Sequence, residues 1–347
     1  MAAGLSQTMN DLEHERLSDY RVVQLRGAGA EIGAVMARTL RRVPSPFRAW
    51  PWEEDFAFLQ GCASIVGAIA PWLWDELATF ADGLDLRPEQ GLFVRAGSLP
   101  HGCSAVAWRS YDGRVLAGRT YDFYVRMRTR HLLVTQPDEG YAHVGMNGGL
   151  AGGRYDGLNE HGLFVALHKV MADRPATVAP GVPYHLILRL ALQCCRTAEE
   201  AADLIMRVPH LASFNYTLAD PSGALIALEC YPGEAVQRRD GDNVLAVTNH
   251  YESPSLAHFQ GRRPSGDSRR RKAALEAVGA RWGDGWNATL DAICDHENGV
   301  CCHREFSCTL WAGVFDLGAK LAEYSFGAPC RNPLVAYDVP RTEELRT

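Results

Sequence analysis

A cysteine that follows a glycine at the start of a predicted strand is the first feature of this sequence able to do chemistry. Gly102-Cys103 precedes the strand-like run Ser104–Trp108. The thiol could attack the Gly102 carbonyl, for which glycine offers backbone conformations that other residues resist. Water would then release the preceding segment, and the freed α-amine, with a pKa of about 8, could take the thiol proton. Cys103 is therefore a candidate nucleophile that cuts the chain ahead of itself, with a buried strand cysteine as the alternative.

The strand that returns after Cys103 carries two charged residues of matching chemistry. A turn at Tyr111–Gly113 predicts a hairpin, which would bring Arg119 and Asp122 back beside Cys103. Asp122 could hold the new α-ammonium group by a charge-assisted hydrogen bond. Arg119 could lower the pKa of the thiol and orient a substrate carbonyl. The alternative is a surface Arg-Asp pair that closes a hairpin.

Hydrophobic periodicity predicts the elements that would position these residues. Helices are expected at 27–42, at 56–80 with an interruption near Pro71, from Arg87, and at 183–193, 197–208 and 268–278. Strands are expected at 22–25, 104–108, 115–120, 145–153, 163–167, 214–219, 224–229, 244–248, 309–316 and 322–326. Strand pairs joined by tight turns, with helices in blocks between them, predict antiparallel sheets covered by helices.

The bulk composition is that of an ordinary globular protein. The 347 residues are 47% hydrophobic and 22% charged, with a formal net charge of −6, which favours neither nucleic acid nor an anionic membrane as partner. The polar start of the chain and an apolar stretch at Ile65–Trp74 that is too short to cross a bilayer predict a cytoplasmic protein with reduced thiols. The basic run Arg269–Lys272 is interpreted as a solvated helix face.

The combination of Cys103, Arg119 and Asp122 resembles the pattern of choloylglycine hydrolases and penicillin V acylases. The longer chain is similar to their self-processing relatives, the acyl-coenzyme A:isopenicillin N acyltransferase family. This resemblance runs nearly end to end, through Leu25–Gly27, Glu31–Gly33, Gly157–Leu163, Val247–His250, Ser307–Thr309 and Gly327–Cys330. Arg119 departs from the isopenicillin pattern, which has a neutral residue there, and agrees with the choloylglycine branch.

The resemblance implies the fold of the N-terminal-nucleophile hydrolases. This is an α+β fold, an αββα four-layer sandwich in which two antiparallel sheets face each other beneath helices on both sides. Residues 1–347 would form a single domain. After cleavage, residues 1–102 would stay associated as a small chain beside a large chain of residues 103–347.

The resemblance also implies roles for individual residues. Cys103 would be the nucleophile, Asp122 would orient its α-amine, and the Asn249 side-chain amide would donate to the oxyanion. A second donor is expected near His168. Ser268 followed by Arg269 or Arg271 could match a substrate-binding arginine of the choloylglycine branch, with surface residues of a helix as the alternative.

These roles predict an amidohydrolase or acyltransferase that works through a Cys103 acyl-enzyme. Linear amides or acyl thioesters, acyl-coenzyme A among them, would be substrates, and neither cofactor nor metal is needed; a homo-oligomer is left open. One alternative is a processed but inactive binding protein of the same fold. Another is a zinc-stabilised structural protein, because the stretch 294–308 is rich in Cys and His. Zinc is disfavoured there because no C-x-x-C knuckle occurs and the adjacent Cys301 and Cys302 would point to opposite sides.

Overall fold

The computed structural model describes residues 11–41, 56–94, 102–173, 175, 177–239, 241, 243–260, 266–280 and 284–342. The predicted loop of residues 99–101 ahead of Gly102 lies outside this range. No helix among the described residues has the length and apolar character needed to cross a lipid bilayer.

The strands form two sheets. They are β1 (Asp19–Gly27), β2 (Ser104–Arg109), β3 (Val115–Tyr124), β4 (Thr129–Pro137), β5 (His143–Asn147), β6 (Asp156–Asn159), β7 (Phe164–Lys169), β8 (Phe214–Ala219), β9 (Leu225–Tyr231), β10 (Glu234–Arg238), β11 (Val244–Val247), β12 (Ser307–Asp316), β13 (Leu321–Phe326) and β14 (Val335–Asp338). The eight-stranded sheet has the order β1-β4-β5-β6-β7-β8-β9-β10, and the six-stranded sheet has the order β11-β2-β3-β12-β13-β14.

Helices lie outside the sheets and before the first hairpin. The α-helices are α1 (Asp11–Arg16), α2 (Gly29–Leu40), α3 (Phe56–Ile69), α4 (Pro71–Asp82), α5 (Tyr184–Cys194), α6 (Ala198–Arg207), α7 (Pro254–Ala257), α8 (Gly266–Glu276) and α9 (Gly285–Ile293). Short 3₁₀ turns span Pro88–Leu92, His258–Gln260 and Ala277–Ala280.

The layers follow from the two-residue alternation of the strands. In β2, Ala105 and Ala107 lie in the large apolar cluster between the sheets, whereas Val106 and Trp108 pack in a second cluster with residues of α8 and α9. Helices α5 and α6 contact the eight-stranded sheet, and α8 and α9 contact the six-stranded sheet. The chain therefore has the predicted α+β fold, an αββα four-layer sandwich.

Local signals account for several element boundaries. Pro71 occupies the first turn of α4 and ends the run of α3, as the sequence predicts. The Thr197 side chain accepts a hydrogen bond from the Glu200 N–H and caps α6. Positive φ at Gly113, +81°, allows the tight turn that joins β2 to β3.

The structure corrects the prediction in two respects. Strand β1 pairs with β4 in parallel, so the eight-stranded sheet is antiparallel except at this edge. Strands β4, β6, β10 and β14 and helices α1, α7 and α9 were not predicted, and the expected strand 145–153 ends at Asn147. Strand β4 was missed because it begins with the polar residues Thr129-Arg130-His131. They are nevertheless buried, which a hydrophobicity pattern does not show.

Candidate active site

The β2–β3 hairpin brings Cys103 and Asp122 together, as the sequence predicts. Cys103 immediately precedes β2 and shares the cluster between the sheets with Ala105 and Ala107. The Gly102 N–H donates to the Asp122 carbonyl at 3.2 Å. The peptide bond proposed for cleavage thus sits where the hairpin closes.

Cys103 is fully buried, and its side chain lies in the cluster between the sheets. Gly102 is packed closely against Asp122: a Cβ atom at position 102 would lie 2.8 Å from Asp122 Oδ2 and 3.0 Å from Asp122 Cβ.

Burial controls the acidity of the Cys103 thiol. Loss of solvation raises its pKa above the ordinary value, and the charges of Arg119 and Arg271 lower it only in part. Arg119 lowers the pKa of the thiol, as expected, but burial raises it by more. The Cys103 thiol is therefore protonated at neutral pH and needs a base in order to attack.

Asp122 is a buried carboxyl whose charge acts on the Cys103 thiol, which makes it the candidate for that base. Burial raises the pKa of its carboxyl to about 7, against the lowering effects of Arg271, the hydrogen bond from Thr309 and Arg119. The Thr309 hydroxyl donates to Asp122 Oδ1 at 2.7 Å and fixes the carboxyl plane. A carboxyl with a pKa near neutrality can both take and return a proton.

Arg271 binds the backbone on both sides of the candidate cleavage site. Its Nη1 donates to the Gly102 carbonyl at 2.7 Å, to the Cys103 carbonyl at 2.8 Å and to Ser104 Oγ at 2.7 Å. The interpretation of the basic run as a solvated helix face is wrong here. Arg271 is 2% exposed because it lies on the face of α8 that packs against the sheet, whereas Arg269 and Arg270 face solvent.

The same guanidinium orients Asn249. Its Nη2 donates to Asn249 Oδ1 at 3.0 Å, and because arginine has no acceptor this contact decides which end of the amide is oxygen. Asn249 Nδ2 donates to the Lys169 carbonyl at 2.9 Å, which leaves its second N–H as a donor. Arg271 thus connects the predicted oxyanion donor to the predicted nucleophile.

The turn that carries Asn249 is held from two sides. Ser268 Oγ, at the start of α8, accepts from the Asn249 N–H at 2.9 Å and lies 2.8 Å from His250 Nδ1. From β8, Asn215 Nδ2 donates to the carbonyls of Thr248 and His250 at 3.1 and 2.8 Å. Ser268 and Asn215 therefore position Asn249 without facing the candidate bond.

Arg119 and His168 lie on the opposite side of the six-stranded sheet from Asp122. Arg119 Nη2 donates to the Leu167 carbonyl at 2.7 Å, and Nη1 lies 3.2 Å from His168 Nδ1. Burial and the charge of Arg119 hold the pKa of His168 well below its usual value, so the ring is neutral. Nδ1 then accepts from Arg119, and the Nε2–H donates to Thr217 Oγ1 at 2.9 Å.

Both ring nitrogens of His168 thus have polar partners, Arg119 at Nδ1 and Thr217 at Nε2. Arg119 likewise has its donors directed at the eight-stranded sheet, with Nε 3.6 Å from the buried Asp156 carboxylate. The side chains of Arg119 and His168 therefore connect the two sheets, on the side of the six-stranded sheet that Cys103 faces.

A cavity of about 630 Å³ lies elsewhere and is lined by none of the predicted site residues. It opens beside Val178, Pro209 and Gly233. Cys103 itself is buried.

The chain matches one known protein family. The model of the family described as acyl-coenzyme A:6-aminopenicillanic acid acyl-transferase matches residues 108–331. No curated protein matches the chain.

Several solved structures resemble the chain at low identity. A mutant conjugated bile acid hydrolase from Clostridium perfringens is 14% identical with a TM-score of 0.48, over 68% of this chain and 92% of that one. Penicillin V acylase from Agrobacterium tumefaciens is 17% identical with a TM-score of 0.47, over 68% and 86%. A Caenorhabditis elegans N-acylethanolamine-hydrolyzing acid amidase is 14% identical with a TM-score of 0.46, over 69% and 100%.

Proposed function

Because the chain belongs to the acyl-coenzyme A:6-aminopenicillanic acid acyl-transferase family, we propose that it cuts itself before Cys103 and then uses the freed residue for acyl transfer. The acyl group would come from an amide or a thioester and pass to water or to an amine. The observation that carries the proposal is the contact of Arg271 Nη1 with the Gly102 carbonyl oxygen, the atom that becomes an oxyanion when the thiol attacks.

The contact fits the first chemical step. As Cys103 Sγ bonds to the Gly102 carbonyl carbon, negative charge develops on an oxygen 2.7 Å from a guanidinium N–H. A preorganised donor in a buried site lowers such a barrier by about 3 kcal/mol or more. The charge of Arg271 therefore favours the transition state over the uncharged peptide.

Asp122 would move the proton. Its carboxylate takes the Sγ proton, directly or through water, and returns it to the Cys103 nitrogen as the carbon–nitrogen bond breaks. Water then hydrolyses the Gly102–Sγ thioester, giving the Gly102 carboxylate and a free Cys103 with both its thiol and its α-amine. The buried position of Asp122 keeps its pKa, about 7, in the range where both transfers are feasible.

Turnover would reuse the same groups in a ping-pong sequence. The α-amine of Cys103 takes the thiol proton, Sγ attacks the substrate carbonyl, and the second N–H of Asn249 donates to the oxyanion. The α-ammonium protonates the leaving amine or thiol, and water or an acceptor amine then resolves the acyl-enzyme. The family description names an acyl thioester and an amine, which makes both partners testable.

Cleavage would also serve as activation. Cys103 is 0% exposed in the uncut chain, so an external acyl compound has no path to its sulfur. Breaking the bond frees Gly102, which is packed against the Asp122 side chain. We therefore expect the uncut chain to be inactive towards external substrates.

The experiment compares the wild-type chain with Cys103→Ala and, as a control, Cys194→Ala at an exposed cysteine. Wild type and control should give two fragments on a denaturing gel, with Cys103 as the second N-terminus by mass spectrometry, and Cys103→Ala should give one. The cleaved protein should then acquire an acyl group on Cys103 from acyl amides or acyl thioesters.

Two results would overturn parts of the proposal. An intact wild-type chain after long incubation would exclude self-cleavage. A cleaved chain whose Cys103 takes no acyl group from any compound would indicate a processed binding protein instead.

A further inference from the structure

Four side chains with metal-binding atoms converge at the end of the six-stranded sheet, outside the site described above. They are His296, Cys301, His303 and Cys330, and one ligand atom from each lies within 4.8 Å of the other three. His303 Nε2 lies 3.4 Å from Cys301 Sγ and 3.3 Å from Cys330 Sγ. The rings of His296 and His303 have centroids 5.2 Å apart. We name these four residues the Cys/His cluster.

We propose that the Cys/His cluster is a structural zinc site. Two thiolates and two imidazoles are a complete tetrahedral set for Zn²⁺, with no ligand missing for a catalytic water. Zn–S bonds of about 2.3 Å and Zn–N bonds of about 2.1 Å require ligand atoms within about 4 Å of one another. The four ligand atoms of the cluster already lie within 4.8 Å of one another, close to that spacing.

The sequence lacks the short cysteine spacing of a zinc knuckle because one of the four ligands lies far from the other three along the chain. Three ligands come from the loop between α9 and β12, and the fourth, Cys330, comes from the loop after β13. Adjacent Cys301 and Cys302 do point to opposite sides: Cys301 Sγ meets His303, and Cys302 Sγ contacts the Ser307 carbonyl at 3.2 Å. Only one of the pair is needed, because a distant cysteine completes the set.

Binding of a divalent cation would change the protonation of the Cys/His cluster, and the cluster is accessible to it. Binding Zn²⁺ would release the two thiol protons and give a neutral centre. His303 would keep one proton but move it to Nδ1, so Arg331 Nη1, now 3.3 Å from Nδ1, must turn away. Arg331 has a stronger partner in Glu15, at 2.7 Å. His296, His303 and Cys330 are exposed, which gives the ion an entry path.

Two hydrogen bonds connect the cluster to the active site. The Cys302 N–H donates to Thr309 Oγ1 at 2.8 Å, and that hydroxyl donates to Asp122 Oδ1 at 2.7 Å. A metal that fixes Cys301 and His303 would fix Cys302 between them and so hold Asp122 in its orientation. This second part of the inference rests on the proposed function, whereas the zinc site itself does not.

The test measures metal first. The chain is expressed with added zinc and purified without chelator, and zinc is measured by elemental analysis in wild type, Cys330→Ser, Cys301→Ser and the control Cys194→Ser. Wild type and control should hold about one zinc per chain, and both cluster variants should lose at least about tenfold in occupancy. Cobalt substitution should give thiolate charge-transfer and tetrahedral d–d bands only in wild type and control.

Several outcomes would overturn the zinc site: wild type without zinc and without cobalt bands, a Cys301–Cys330 disulfide in place of bound metal, or cluster variants that keep their zinc. The link to Asp122 is tested by cleavage rate. If zinc binds and Cys330→Ser cleaves as fast as wild type, the link is wrong. If zinc binds and wild type never cleaves, the proposed function fails while the zinc site stands.

Discussion

At the scale of single residues, Arg271 couples the groups that self-cleavage and turnover would each use. It holds the Gly102 carbonyl, which would serve only once, and Asn249, which would serve in every cycle. In the first use its buried charge would lie beside the developing oxyanion, and in the second it would orient the amide that donates to one. Replacement by a neutral side chain would leave both oxygen atoms without this partner.

Glycine at position 102 is required by the space that Asp122 occupies. In Gly102→Ala the new Cβ would meet Asp122 Oδ2 at 2.8 Å and Asp122 Cβ at 3.0 Å, and the carboxyl must shift. A displacement of about 1 Å in a catalytic group slows chemistry roughly 100-fold. We expect a loss of that size in the cleavage rate followed on denaturing gels.

Gly67→Ala is the matched control for this change. Its Cβ would meet Trp74 no closer than 3.7 Å, an ordinary contact in the last turn of α3. Equal cleavage rates for Gly102→Ala and Gly67→Ala would contradict the placement of Asp122 as the proton carrier.

Self-cleavage should depend on pH through Asp122. Burial raises the pKa of its carboxyl from 3.8 to about 7, so below that pH the group already holds a proton and cannot accept one from Cys103. The rate should therefore fall as pH drops through about 7, by roughly tenfold per pH unit below it. The measurement is the cleavage rate of freshly refolded chain at a series of pH values, with circular dichroism to show that the fold persists. A flat profile from about pH 5 to 8 would exclude Asp122 as the base.

At single residues, the strand pattern predicted one approach that the structure contains. Because the turn of the β2–β3 hairpin was located correctly, spacing alone indicated that the Gly102–Cys103 segment lies beside Asp122. Arg271 was interpreted as a surface residue because a basic run contains no information about which face of α8 packs. Thr309 was noted only as part of a motif, since its contact with Asp122 depends on pairing between β3 and β12, 187 positions apart.

At the scale of elements, alternation along β3 separates the charged residues. Arg119 and Asp122 are three positions apart, so they lie on opposite faces of the strand. Arg119 faces His168 between the sheets, and Asp122 faces Thr309 and the helix layer. The register between β12 and β3 shifts between Thr309 and Trp311, and this irregularity lies directly beside the Asp122–Thr309 pair. Such bulges re-aim side chains near active sites.

Thr309→Val tests the role of this pairing. Valine keeps the shape but removes the hydroxyl that donates to Asp122, a bond that lowers the pKa of the carboxyl. The midpoint of the pH profile for cleavage should move upward, by about one unit.

Thr120→Val provides the control, because the buried Thr120 hydroxyl has no hydrogen-bond partner among the described residues. Its pH midpoint should match that of wild type. A Thr309→Val profile that coincides with both would show that the hydroxyl does not act on Asp122.

The elements themselves were predicted best where one signal dominates. The hairpin of β8 and β9, the capped helix α6 and the break at Pro71 all have strong local markers. Strand β6 has only four residues, and β10 is partly buried throughout, so neither shows clear alternation. The parallel pairing of β1 with β4 joins segments about a hundred positions apart and has no local signature.

At the scale of the whole molecule, the described part of the segment ahead of Cys103 packs into the core. All nine residues of β1 pair with β4, and Leu25, Ile32 and Leu73 lie in the main apolar cluster. Glu76 on α4 and Arg189 on α5 form a buried ion pair at 3.0 Å. Removing one partner of such a pair costs about 3–5 kcal/mol.

The two fragments should therefore remain together after cleavage. They should co-elute on native size exclusion and separate only in denaturant. Fragments that separate under native conditions would show that the first segment is a discarded leader.

Leu25→Ala removes a fully buried side chain and should lower the free energy of unfolding by about 2–5 kcal/mol. Val22→Ala, at a residue 41% exposed in the same strand, is the control and should change the free energy of unfolding little.

Because β1 pairs with β4 at the edge of the sheet, refolding should differ between the uncut and the cleaved chain. An uncut chain can dock β1 as an intramolecular event, whose probability does not depend on protein concentration. After the cut, the same docking would require an encounter between two independent molecules. Denatured mature protein would then refold more slowly the more it is diluted, and the lifetime of its native state would be governed by the unfolding rate.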